Sequence, residues 1–184
     1  PKPRMQFVEE VVRPYLEKRG IAVLGVLPRE RILQSVSVGE LVEALDGEVL
    51  CCEEECNELV EYITVGAMTI EAALYYFRRR ANKAVITGGD RPEIQLAALE
   101  TPTKCLILTG NIYPSPIILS RAEELGVPII LVRHDTFTAA QLIDQVFGRS
   151  RFCQERKINL FGKLLDDQFD FRRFYDALGL PGSG

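Results

Sequence analysis

From Met68 onward the chain alternates apolar runs of about five residues with helical stretches of two or three turns, a rhythm that few folds accommodate. A helix over residues 69–80 leads to a strand over 83–87, a helix over 92–99 to a strand over 104–109, and a helix over 116–125 to a strand over 127–132. A last helix follows over 136–147. Apolar strands alternating with helices are the signature of βαβ units and a mainly parallel sheet. The expected fold class is therefore α/β, a three-layer α/β/α arrangement with a mainly parallel sheet. Ligand-competent loops belong at the carboxyl ends of its strands. A length of 184 residues suits one substantial core.

Upstream the pattern is less regular. Val8, Val11, Val12, Tyr15 and Leu16 recur at spacings of three and four, which predicts a helix over 7–18 that Pro14 bends and Gly20 ends. The apolar run over 21–27 has the length of a buried strand, stopped by Pro28. Ser37 reads as an N-cap, with Glu40 completing a capping box and Leu41, Val42 and Leu45 forming the apolar face. Gly47 closes that helix before Glu48-Val49-Leu50-Cys51; residues 52–57 read as an acidic loop and 59–65 as a further strand.

Composition excludes several classes. Twenty-two Lys and Arg against 26 Asp and Glu leave a formal charge of −4, which gives no pull toward nucleic acid or an anionic membrane surface. No apolar run approaches the roughly 18 residues of a spanning helix. No apolar stretch follows Pro1-Lys2-Pro3-Arg4, so no secretory signal is visible, and a first residue other than Met points to a processed or truncated product. The five cysteines, Cys51, Cys52, Cys56, Cys105 and Cys153, are expected as free thiols in a reducing, cytoplasmic compartment. Cys105, at the start of a strand, is expected as an inert core position. With one histidine and no second Cys or His cluster, neither a metal nor another cofactor is expected. The expected partners are small molecules or proteins.

Three strand-to-helix loops carry the candidate binding residues. Thr87-Gly88-Gly89-Asp90-Arg91 can expose backbone N–H groups beside a helix start, although Asp90 can equally cap the helix that opens near Pro92. Thr109, Gly110 and Asn111, followed by Ile112-Tyr113-Pro114, offer a hydroxyl, an amide and an aromatic wall. The third loop holds His134 beside Asp135 and Thr136. That pairing suggests acid/base chemistry, yet Asp135 or Thr136 can cap the following helix instead. No nucleophile-elbow Ser or Cys, phosphate-gripping glycine loop, zincin motif or calcium loop is present, and Gly162-Lys163 lacks the flanking residues of a P-loop.

The C-terminal stretch changes character: Arg149, Arg151, Arg156 and Lys157 precede Phe161, Phe169, Phe171, Phe174, Tyr175 and Leu178. Such aromatics are expected to pack a terminal helix onto its own domain or onto a partner subunit. Pro181-Gly182-Ser183-Gly184 reads as a flexible tail.

Val65-Gly66-Ala67-Met68-Thr69, the block from Ala84 through Arg91, Leu106-Ile107-Leu108-Thr109-Gly110 and Asp135-Thr136-Phe137-Thr138 resemble the successive blocks of a DRTGG domain over residues 35–147. The segment from Leu16 to Arg29 resembles the last helix and strand of a P-loop domain similar to dethiobiotin synthetase. The resemblance implies a non-catalytic accessory module of the kind found in the N-terminal region of some phosphate acetyltransferases and between regulatory domains of some pyrophosphatases. It also implies that the chain is the C-terminal portion of a longer protein. On that basis residues 1–34 are the end of a P-loop domain packed on the main domain, 35–147 the DRTGG-like domain, and 148–184 a C-terminal helical extension. The leading expectation is a regulatory or scaffolding module that self-associates as a homodimer. A small-molecule or nucleotide sensor and a fragment of a P-loop ATP-dependent enzyme are the alternatives.

Overall fold

The computed structural model describes residues 2–147 and 154–180. Pro1, residues 148–153 with Arg149, Arg151 and Cys153, and the tail from Pro181 to Gly184 lie outside the described residues. The chain forms two compact units: Gln34–Arg151, and a second made of Pro1–Leu33 with Phe152–Gly184.

In the terminal unit, α1 (Lys2–Phe7) continues through a π-turn (Val8–Val12) into α2 (Arg13–Glu17). The wide turn precedes Pro14, whose ring has no N–H and would crowd the carbonyl four residues back. Arg13 N–H accordingly bonds the Val8 carbonyl, five residues back. Residues 21–27 do not form the expected strand: among the described residues their one ladder contact is an isolated bridge from Gly25 to Phe169, and Ile21 and Leu27 are exposed. A continuous apolar run becomes a strand only where neighbouring strands satisfy its backbone groups.

The central unit opens with β1 (Val36–Ser37) and α3 (Val38–Leu45). The capping box forms as expected: Ser37 Oγ accepts from Glu40 N–H at 3.1 Å, and the Glu40 carboxylate accepts from Ser37 N–H at 2.7 Å. After β2 (Glu48–Cys51) the acidic stretch is a 3₁₀ turn (Glu53–Asn57), and the apolar run behind it splits into β3 (Leu59–Val60) and β4 (Tyr62–Val65). The regular repeat follows: α4 (Ile70–Arg78), β5 (Lys83–Gly88), α5 (Pro92–Leu99), β6 (Thr103–Thr109), α6 (Pro116–Leu125), β7 (Ile129–Leu131) and α7 (Thr136–Phe147).

The five-stranded sheet has the order β2-β7-β6-β5-β4, with β4 to β7 parallel and β2 antiparallel at one edge, while β1 and β3 pair separately. Because successive strands advance in one direction, their right-handed crossovers put α4, α5 and α6 on one face. There Phe77, Ile94 and Ile118 pack on Val85, Leu106, Leu108 and Ile129. The opposite face is covered by α3 and α7, whose Leu41, Leu45, Ala139 and Ile143 meet Ala84, Ile86, Ile107 and Ile130. Strict alternation along β5 and β6 thus feeds two cores, giving the three-layer α/β/α architecture. Cys105 is fully buried in the second core.

At the amino end of the sheet Lys83 is fully buried. Its Nζ donates to Thr101 Oγ1 and to the Pro102 carbonyl, both at 3.0 Å, and stands 5.8 Å from the Phe77 ring centroid. No carboxylate among the described residues pairs with it, and burial pushes its pKa down to about 8.

The terminal unit also contains α8 (Glu155–Gln168) and α9 (Phe171–Leu178). Asp170 caps α9 through Arg173 N–H at 2.9 Å. Phe169 stacks edge-on against Phe171 and Phe174, and Tyr175 packs on both Phe171 and Phe174. Phe161, Phe169, Phe174 and Tyr175 are half-buried, and Phe171 is 37% exposed.

Candidate functional site

The connection after β6 leads to α6 on one face of the sheet, and that after β7 leads to α7 on the other. Connections that depart to opposite faces leave a crevice at the carboxyl ends of their strands, where open α/β sheets receive ligands. All three sequence-predicted loops end here.

Their backbones are laced together. Gly89 N–H donates to the Thr109 carbonyl at 3.2 Å, Gly110 N–H to the His134 carbonyl at 3.0 Å, and Asn111 N–H to the Val132 carbonyl at 2.9 Å. Hydroxyls continue the seam: Thr87 Oγ1 donates to the Gly66 carbonyl (3.2 Å), Thr109 Oγ1 approaches the Thr87 carbonyl (3.3 Å), and it also lies 2.9 Å from Thr136 Oγ1. These threonines therefore bind the edge together instead of presenting hydroxyls to a ligand. Gly110 (φ 81°) and Asn111 (φ 56°) take left-handed conformations that turn the chain tightly after β6. Gly89 is required sterically, because a Cβ there would overlap the Ile112 carbonyl and its Cβ.

The charged candidates separate by role. Arg91 is committed: its Nε holds Glu93 at 2.9 Å and its Nη2 donates to the Met68 carbonyl at 2.9 Å, tying the loop after β4 to the loop after β5. The Arg91 hydrogen bond in turn lowers the pKa of Glu93. Asp135 caps α7, accepting from Phe137 N–H (2.9 Å), Thr138 N–H (3.0 Å) and Thr138 Oγ1 (2.7 Å). Those bonds, the Thr138 hydroxyl foremost, hold its carboxyl below the usual carboxylate range. The carboxylate serves the helix and not His134, so no acid/base pair forms. Asp90 does not cap α5: Arg91 occupies the N-cap position, while Pro92 takes the first turn as expected. The side chains of Asp90, Asn111 and His134 have no hydrogen-bond partner among the described residues.

One feature went unread in the sequence, and a second was read only in part, through the aromatic wall at Tyr113. Gln95 is fully buried on α5, and its Nε2 donates to the carbonyls of both Gly88 and Gly89 at 3.0 Å, holding the turn from beneath, while its Oε1 has no partner. A polar residue inside an otherwise apolar helical stretch just after a paired-glycine turn is the signal that could have found it. The second feature is a rim of large apolar side chains facing solvent: Ile112 (44% exposed), Tyr113 (59%), Ile117 (74%) and Phe137 (71%). The helix starts at α4, α5 and α6 carry no side-chain cap, so their first N–H groups point toward this edge without a side-chain acceptor. Among the described residues no group of three or more His, Cys, Asp or Glu side chains is placed to hold a metal, and no helix is long and apolar enough to cross a membrane.

The family model of the DRTGG domain matches residues 40–146. Over 165 residues the chain is 31% identical to a phosphate acetyltransferase of Synechocystis sp., covering 85% of this chain and 24% of that protein. It is 32% identical over 111 residues to a cobalt-dependent inorganic pyrophosphatase of Clostridium perfringens, covering 60% of this chain and 20% of that one. The chain thus spans a quarter or less of the length of these two curated relatives. Among solved structures it is similar to the CBS and DRTGG domains of the regulatory region of Clostridium perfringens pyrophosphatase, complexed with activator, diadenosine tetraphosphate. The TM-score is 0.53 at 26% identity, over 72% of this chain and 54% of that chain.

Proposed function

This chain belongs to the DRTGG domain family, and from that premise we propose that it is a non-catalytic regulatory module whose carboxyl-edge loops sense a nucleotide-like small molecule for an attached catalytic part. The observation that carries this reading is the lacing of three loops that each carry a polar side chain without a partner among the described residues, Asp90, Asn111 and His134. A ligand engaging those groups would act on loops that move as one, so its binding energy is delivered to α5, α6 and α7 together. The apolar rim suits a base or other planar group, and the uncapped helix starts suit phosphate. The related regulatory region bound to diadenosine tetraphosphate supports this class of effector.

The experiment is a calorimetric titration with a panel of mono- and dinucleotides, diadenosine tetraphosphate included, on the chain and on a variant carrying Asp90→Ala, Asn111→Ala and His134→Ala. Saturable binding that the triple variant loses supports the reading; binding that survives it moves the site elsewhere.

A second reading, self-association as a homodimer, is favoured by the exposure of Ile117, Phe137 and Tyr113 on one edge and by Phe171 in the terminal unit. Exposed large apolar groups gathered on one edge mark association surfaces. Under this reading residues 1–34 end an attached P-loop domain of the dethiobiotin-synthetase type, residues 148–184 form a helical extension, and the assembly is cytoplasmic. Light scattering over a concentration series separates the readings: a dimer that Phe171→Ala with Phe174→Ala or Ile117→Asp with Phe137→Asp dissociates supports assembly, and a monomer at all concentrations removes it.

A further inference from the structure

Two adjacent thiols lie away from the ligand edge, in an arrangement that strand geometry ordinarily forbids. Cys51 ends β2, the edge strand, and the next residue of an extended chain projects to the opposite side. Cys52 breaks that alternation: its backbone is left-handed (φ 55°, ψ 45°). Both sulfurs consequently face one short stretch, the end of α6 and the link to β7. Cys51 Sγ lies 3.8 Å from the Val127 carbonyl and Cys52 Sγ lies 3.8 Å from the Ala122 carbonyl. The thiols also act on each other, each shifting the other's titration through a side-chain contact. Both are half-buried and so within reach of small solutes. Cys56 packs with the core on the opposite face of the sheet and does not join them.

We propose that Cys51 and Cys52 form a dithiol site for a soft electrophile that bridges two sulfurs, of the trivalent arsenical class. A direct disulfide between them is disfavoured, because adjacent Cα atoms stand about 3.8 Å apart, short of the roughly 4.4 Å at which disulfides begin to be found. An intervening arsenic atom widens the sulfur separation and removes that strain. With phenylarsine oxide the oxygen on arsenic leaves as one water carrying both thiol protons, two As–S bonds form, and arsenic stays trivalent, so no oxidant or reductant is needed. Burial keeps both thiols protonated at neutral pH, with Cys52 pushed up to about 11. A thiolate-seeking alkylator therefore reacts slowly here, while a reagent that accepts the S–H proton does not depend on prior ionisation.

The test is intact-mass analysis of the whole chain with equimolar phenylarsine oxide. The expected result is one adduct that withstands a hundredfold excess of 2-mercaptoethanol, is removed by 2,3-dimercaptopropanol, and maps to the peptide carrying residues 51 and 52. Cys51→Ser and Cys52→Ser each convert it to a monothiol-labile adduct, whereas Cys56→Ser and Cys153→Ser leave it unchanged. Circular dichroism confirms that each variant is folded, and Cys52→Ala replaces Cys52→Ser if the latter is not. A monothiol-resistant adduct in either Cys52 variant, or none in the unaltered chain, overturns the proposal.

Discussion

The two ends of one sheet solve opposite problems. At the amino end polar groups are driven inward and satisfied there: Lys83 is fully buried on Thr101 and Pro102, and Thr101 and Thr103 both donate to the Ala98 carbonyl. At the carboxyl end the loop backbones are laced together, yet Asp90, Asn111 and His134 have no side-chain partner among the described residues and large apolar side chains face water. Burial of polar groups at one end and exposure of apolar groups at the other both oppose the usual partition of side chains. The difference teaches that the amino end is organised to hold the fold, and that the carboxyl end sets a laced backbone under exposed side chains, the surface that the proposed sensing role would use.

The sharpest way to break this contrast is to attack the frame. Gly89→Ala would drive a Cβ into the Ile112 backbone and is expected to cost about 3 kcal/mol, read by urea denaturation. A loss under about 0.5 kcal/mol would mean that the two loops are not locked.

At the amino end, Lys83 makes stability depend on pH with a definite sign. Its folded pKa, about 8, lies below the ordinary 10.5, so between those values the unfolded chain binds more protons and stability rises with pH. The rise from this group is on the order of 3 kcal/mol. Lys83→Met, measured by thermal melts from pH 7.5 to 10.5, is expected to flatten that part of the profile; an unchanged profile would show the ammonium to be well solvated.

Thr109→Val removes the hydroxyl between the Thr87 carbonyl and Thr136 and is expected to cost about 1 to 2 kcal/mol. Its amide exchange should quicken at residues 87–89 and 134–136 together, and quickening at one loop alone would break the claim that they move as one. The smallest effect on stability, about 1 kcal/mol and owed mainly to placing Ala at the left-handed Asn111, belongs to the triple change of Asp90, Asn111 and His134 to Ala. That variant should nevertheless lose at least tenfold in nucleotide affinity by calorimetry, which separates recognition from fold.

Much of the fold was legible because it is local. Continuous apolar runs bounded by glycines, at Gly88 closing β5, Gly110 after β6 and Gly126 before β7, marked these strands to within a few residues, and the Ser37 and Glu40 pairing marked the start of α3. What escaped depends on distant partners. Residues 21–27 have the composition of a strand but among the described residues gain only a bridge to Phe169, and β2 joins the sheet antiparallel beside β7, a neighbour about 80 residues away. The loops of the site were visible from their glycines and their place after strands. Their division of labour was not: that Thr109 meets Thr136, that Asp135 serves α7 rather than His134, and that Gln95 props the 88–89 turn are contacts made by folding. The left-handed turn that brings the Cys51 and Cys52 thiols to one side is likewise invisible to side-chain periodicity.

The most direct test of the central claim is backbone amide hydrogen exchange of the whole chain, with and without saturating diadenosine tetraphosphate. A sensing carboxyl edge predicts slowed exchange at residues 88–91, 110–113 and 133–137 together, with the amino ends of β5 and β6 unchanged. Protection confined to the amino end or the terminal unit, or no protection at all, would contradict it.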